Sequence, residues 1–149
     1  MTRQLPEGES LLVRTDYSDD EAWRETLATA TQPWDFGGDI ESSAALTPVD
    51  DPAFDGLTLS DLKALIGSPP PYYIFLADSR AITDPEHPIL AVDTGAEESN
   101  DALAAGGVYP TFRVAPKAMA SVENNLSIAN MDFEEFAGAI DADGVFRGF

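Results

Sequence analysis

The chain has 149 residues, 44% of them apolar, and 27 Asp plus Glu against 8 Lys plus Arg give a net charge of −19. A domain of about 150 residues buries roughly 68–70% of its unfolded-chain surface, enough for one self-supporting core. With no cysteine and a single histidine, His87, the chain can form neither a disulfide framework nor the usual Cys- or His-based metal sites.

Phosphate backbones are bound by clustered Lys and Arg, and here the basic residues are few and scattered, so direct nucleic-acid binding is not expected. The opening MTRQLPEGES lacks an apolar h-region, and no stretch approaches the ~20 apolar residues of a membrane span. A cytoplasmic protein is expected. The charge has two readings, a surface that keeps the protein soluble or a field that attracts a basic partner. The 44% apolar content, arranged in strand and helix patterns, argues against disorder for most of the chain.

Residues 11–15 read as a first strand, followed by a helix start at Ser18. Ser18 and Glu21 stand in capping-box spacing, Asp19 and Asp20 suit the positive end of the helix dipole, and Trp23, Leu27 and Ala30 recur at helical spacing up to Gln32-Pro33. Residues 34–43 form a polar, Gly-rich loop with Trp34, Phe36 and Asp39, the first candidate contact segment. A strand is predicted at 44–49. Thr58 and Asp61 then pair like a cap before Leu59, Leu62, Leu65 and Ile66, the face of a short helix ended by Gly67 and the Pro69–Pro71 run.

Residues 72–77 give the strongest strand signal, a continuous apolar and aromatic run, and are expected to be central. A Pro-containing loop over 82–88 leads to a strand at 89–92. After a Gly, Ala and acidic connector over 95–107, a further strand fits 111–114. Met119, Val122, Leu126 and Ala129 suit a helix, and a final helix has Asp132 as cap and Phe133, Phe136 and Ile140 on one face. Phe146 and Phe149, in the tail, are placed to fold back on the body. Trp23, Leu27, Leu62, Ile74, Leu76, Phe112, Phe133 and Phe136 are expected to share one core.

Alternating strands and helices predict an α/β fold, a single layered domain over 1–149 with a mixed, partly parallel sheet of about five strands flanked by helices. One antiparallel pairing is expected because no helix is predicted between residues 78 and 89. The segments LPEGESLLVRTDYSDDEAW, LTPVDDPAFDGLT and SVENNLSIANMDFEEFAGAIDADGVFRGF resemble a family of short acidic actinobacterial proteins, of Streptomyces type, with no assigned function. That resemblance implies a bacterial cytoplasmic protein and no particular chemistry.

Asp16, Asp50, Asp51 and Asp78, with Asp93, each follow a predicted strand. Carboxylates gathered there could hold Mg²⁺ or act as a receiver-like phosphoacceptor, with Lys117 after the last strand. Aspartate is also the ordinary residue of turns and helix caps, so those positions have an equally direct structural reading. Asn124, Asn125 and Asn130 could present amides to a ligand or satisfy turns and caps. His87 lies in a Pro-flanked loop without a nucleophile elbow, and no catalytic residue is assigned.

The leading expectation is a non-enzymatic interaction protein whose acidic surface engages a basic protein partner, as an inhibitor, immunity protein or charge mimic. Trp34, Phe36, Asp39, Asn124, Asn125 and Asn130 would be its contacts. The alternative is a small Mg-dependent enzyme or phosphoacceptor built on Asp16, Asp50, Asp51 and Asp78. No other cofactor is expected.

Overall fold

In the computed structural model, residues 10–35, 41, 42, 44, 46–65, 73–93, 111–127 and 133–147 are described. β1 (Ser10–Arg14) is buried throughout, because it runs inside the sheet with β4 (Thr47–Val49) on one side and β5 (Tyr73–Ala77) on the other, both parallel to it. β6 (Ile89–Val92) pairs antiparallel with β5, and β7 (Thr111–Val114) antiparallel with β6. β8 (Val145–Phe146) adds parallel to β7. The main sheet therefore has six strands in the order β4-β1-β5-β6-β7-β8, a mixed α/β architecture as expected, with one strand more. β2 (Trp34–Asp35) and β3 (Glu41–Ser42) form a separate antiparallel pair within the segment read as loop.

The helices are α1 (Asp20–Ala30), α2 (Leu59–Leu65), α3 (Ser79–Thr83), α4 (Met119–Ser127) and α5 (Phe133–Ala137). The expected capping box at Ser18 is displaced by one residue: Asp19 is the N-cap, its carboxylate accepting from the Ala22 N–H at 3.0 Å. Ser18 instead donates its N–H and hydroxyl to Asp16. The pair before α2 does close reciprocally, Thr58 N–H to Asp61 and Asp61 N–H to the Thr58 hydroxyl, each at 3.1 Å. α3 was not expected. It begins in the Asp78 cap and occupies only one and a half turns, and the 78–88 connection is too short for the parallel crossover of a dozen or more residues, so β6 returns antiparallel.

The expected single core is two layers, one on each sheet face. Side chains alternate along a strand, so Phe75 joins Trp23, Phe112 and Phe136 on one face. Ile74 and Leu76 join Leu62, Phe54 and Leu57 on the other. Leu27 is partly buried against the first layer; the side chain of Phe133 lies outside what is described. α4 buries Met119, Val122 and Leu126 at helical spacing. The last helix stops at Ala137, so Ile140 is exposed rather than part of its apolar face. Phe146 does fold back: it stacks edge-on to Phe136 at 5.1 Å, and Phe136 lies 6.1 Å from Phe112.

Candidate functional site

The carboxyl ends of β1, β4 and β5 point to the same sheet edge, because the three strands are parallel. Asp93 follows β6, which runs the other way, and so belongs to the opposite edge. The chain passes from β1 to β4 on one side and then to β5 on the other, and in open α/β sheets a crevice opens where the strand order reverses. Here that crevice has a volume of about 590 Å³ and is lined by Thr15–Ser18 after β1, Asp55–Leu57, and Asp78 with Ser79 after β5.

Its walls are tied together by backbone. Thr15 N–H donates to the Ala77 carbonyl at 3.0 Å, continuing the β1–β5 ladder, and Gly56 N–H donates to the Thr15 carbonyl at 2.8 Å. Gly56 has φ +77°, where a side chain would strain the backbone, and a Cβ there would meet nothing within 4 Å.

The carboxylates are fixed as firmly. Asp16 accepts the Ser18 hydroxyl at 2.6 Å and the Ser18 N–H at 2.8 Å. The Ser18 hydroxyl, helped by the Ser18 N–H, the Ser79 hydroxyl and the Arg14 charge against some desolvation, holds the Asp16 carboxyl below the ordinary range. Asp78 caps α3 through the Ala81 N–H at 3.2 Å, and Arg113 from β7 grips its two oxygens at 2.6 and 2.8 Å while also donating to the Pro88 carbonyl. Two donors thus meet one oxygen of Asp78 and one donor meets the other.

Arg14 organises the neighbouring corner. Only 3% exposed, it donates to the Asp16 carbonyl at 3.1 Å, Asp20 at 2.6 Å and Asp50 at 3.4 Å. Its guanidinium lies 4.2 Å over the Tyr17 ring and 5.7 Å from that of Trp23. Desolvation opposes its charge, but the hydrogen bond to Asp20 and the charges of Asp50 and Asp20 prevail and leave the guanidinium above its ordinary value. The same bond lowers Asp20. Tyr17 is pushed up to about 12, first by burial and then by the Asp50 charge. Its hydroxyl is fully buried and meets no partner in hydrogen-bond geometry, although Asp50 lies near enough to act on the phenol.

Asp16, Asp50, Asp51 and Asp78 therefore share one edge without forming one coordination sphere. Arg14 takes Asp50, the 3-10 turn at Pro52–Phe54 takes Asp51 as its cap, and Arg113 takes Asp78. Among the described residues, no group of three or more His, Cys, Asp or Glu side chains is placed to hold a metal ion. Asn124 and Asn125 donate their side-chain amides back to Ala120 and Ser121 at 2.7 Å, bonds internal to the α4 region. Trp34 is placed by its backbone in β2, opposite Ser42; Phe36, Asp39 and Asn130 lie outside the described residues.

The sequence reading did not place at this edge the two arginines that hold it. Their signal was present in each case as a single cation inside or ending an apolar strand run, Leu-Leu-Val-Arg and Thr-Phe-Arg-Val, where an unpaired charge would be costly. It also missed a second depression of about 330 Å³ between α1 and α3, bordered by Asp19, Glu21, Glu25, Asp84 and His87. His87, at φ +53°, sets Nδ1 2.9 Å from the Ala81 carbonyl and Nε2 3.3 Å from Glu25.

No curated protein and no solved structure matches this chain. A family model does, over residues 9–149, which takes in every described element. The chain belongs to that family, described as a domain of unknown function (DUF6924).

Proposed function

We propose that the protein acts by association rather than catalysis, presenting an acidic face to a more basic protein partner. One observation carries this reading. Arg14, Arg80, Arg113 and Arg147 are each paired with carboxylates of the same chain, while Glu21 and Glu25 stand exposed on α1 beside Asp19 and Asp84. Four of the eight cations are thus spent on the chain's own carboxylates, and although Arg24 and Lys117 stand exposed, the 27 acids leave the outward field strongly negative. Within the crevice, Asp16 is shifted downward and Tyr17 upward, both away from the near-neutral range that general acid–base catalysis uses. An inhibitor, an immunity protein or a mimic of nucleic-acid charge are the specific forms such an association takes, in the bacterial cytoplasm.

The test is capture from a lysate of the native cell, followed by association kinetics with the purified prey. A basic prey should bind wild type and be lost with Glu21→Lys/Glu25→Lys. Its association rate should fall on the order of tenfold or more between 0.01 and 0.15 M salt, roughly, as the Debye length shrinks from ~30 to ~8 Å. A prey that is neutral, or whose rate ignores salt, would sink the proposal.

A further inference from the structure

The switch-point crevice is separate from the α1–α3 face and has its own chemistry. Its volume of about 590 Å³ falls within the ~300–1,000 Å³ of small-molecule sites. It is also preformed, since hydrogen bonds join Thr15 to Ala77 and Gly56 to Thr15, so a ligand would pay little to organise the walls. Gly56 leaves its part of the wall without a side chain. Asp16, Asp55 and Asp78 are among the lining residues, with Thr15, Ser18 and Ser79, and among the described residues none that lines the crevice is cationic.

Ligand class follows from these groups. An anion would meet the carboxylates of this wall, Asp16 foremost, since Arg113 already grips Asp78 through both of its oxygens. A bare divalent ion needs several oxygens in one small sphere, and no such group is present among the described residues. An organic cation has a different requirement: its charge is spread over several N–H donors, which can reach separated acceptors, and its carbon body can use the apolar wall at Leu57 and Tyr17. A carboxylate offers about four acceptor sites; Ser18 supplies Asp16 with two donors and the Ser79 hydroxyl acts on it as a third. We propose that the crevice between the ends of β1 and β5 binds a small organic cation, an ammonium or guanidinium group carried on a short carbon chain, with Asp16 as its principal counter-charge.

The experiment is calorimetric and NMR titration of the full chain with agmatine, which carries both groups, against 1,4-butanediol and succinate as neutral and anionic controls. Saturable binding of agmatine below about 1 mM is expected, with amide shifts centred on Tyr17, Gly56 and Ser79, and no binding of either control. Asp16→Asn keeps an oxygen to accept the Ser18 N–H and should fold, as far-ultraviolet circular dichroism would verify. It should weaken agmatine about tenfold or more, while Glu25→Gln, in the other depression, should leave it unchanged. The tripeptide Gly-Arg-Gly separates two sources of the same chemistry: agmatine alone binding assigns a free ligand, and equal binding of the tripeptide assigns a partner's side chain. Failure to saturate, equal binding of 1,4-butanediol, or equal weakening by Asp16→Asn and Glu25→Gln would overturn the site, without bearing on the protein partner proposed above.

Discussion

Tyr17 and Arg14 show how closely packing and polarity compete at single residues. The ring of Tyr17 supports a buried guanidinium, a contact that a phenylalanine ring would preserve, whereas its hydroxyl is buried without a hydrogen bond, an arrangement that costs free energy. Tyr17→Phe is therefore expected to leave stability unchanged or raise it by up to about 1 kcal/mol in denaturant titration. A loss greater than that would mean that the hydroxyl is bonded, with Asp50 as the nearest acceptor. The pH dependence has a definite sign. The folded phenol, at about 12, lies above the ordinary value near 10. The phenol's ionisation therefore leaves stability untouched below about pH 10 and lowers it progressively as pH rises from there through about 12. Following phenolate absorbance with pH should show a late-titrating component in wild type, and Tyr17→Phe should remove it.

Among the elements, those written in local periodicity were legible and those that depend on distant partners were not. The apolar run of β5, the reciprocal Thr58–Asp61 cap and the helical stripe of Met119, Val122 and Leu126 are each set by residues a few positions apart, and each is found. β8 is only two residues long, and its burial comes from β7, more than thirty positions earlier. α3 carries no long stripe and exists because Asp78 caps it at the end of a strand. At the candidate site, the strand-end aspartates were visible, but their arginine partners come from β1 and from β7, and no local pattern pairs Arg113 with Asp78 across thirty-five positions. The C-terminal elements meet at Phe136, which is fully buried between Phe112 and Phe146. Phe136→Ala should cost about 3–5 kcal/mol, from the lost transfer energy and the cavity left behind. A cost below about 1 kcal/mol, measured by chemical denaturation, would show that α5 does not seal this end of the first core layer.

For the molecule as a whole, the question is whether attraction or repulsion dominates a net charge of −19. The attractive side is short-ranged. Arg14, Arg113 and Arg147 meet carboxylates at 2.6 Å, and Arg147 draws in Glu86, Asp141 and Asp143 together. Hydrogen bonds from these arginines lower Asp20, Glu86 and Asp143 below the ordinary carboxylate range. The stability those bonds lend is present above that range and is lost only as pH falls through the lowered values, so the pairs are intact at neutral pH. The repulsive side is long-ranged, because 27 acids against 8 bases leave most carboxylates without a cation of their own. Added salt acts unequally on the two: contacts near 2.6 Å lie well inside a Debye length of ~8–10 Å, whereas carboxylates spread across the surface are screened from one another. Moderate NaCl at neutral pH should therefore raise the melting temperature, relieving self-repulsion while leaving the arginine pairs largely in place. Replacing Glu21 and Glu25 by glutamine should shrink that gain, since it removes repulsion at the exposed face of α1 and touches none of the arginine pairs. A melting temperature that falls with salt in wild type would mean that the ion pairs outweigh the repulsion, and the outward acidic field invoked for partner binding would lose its support.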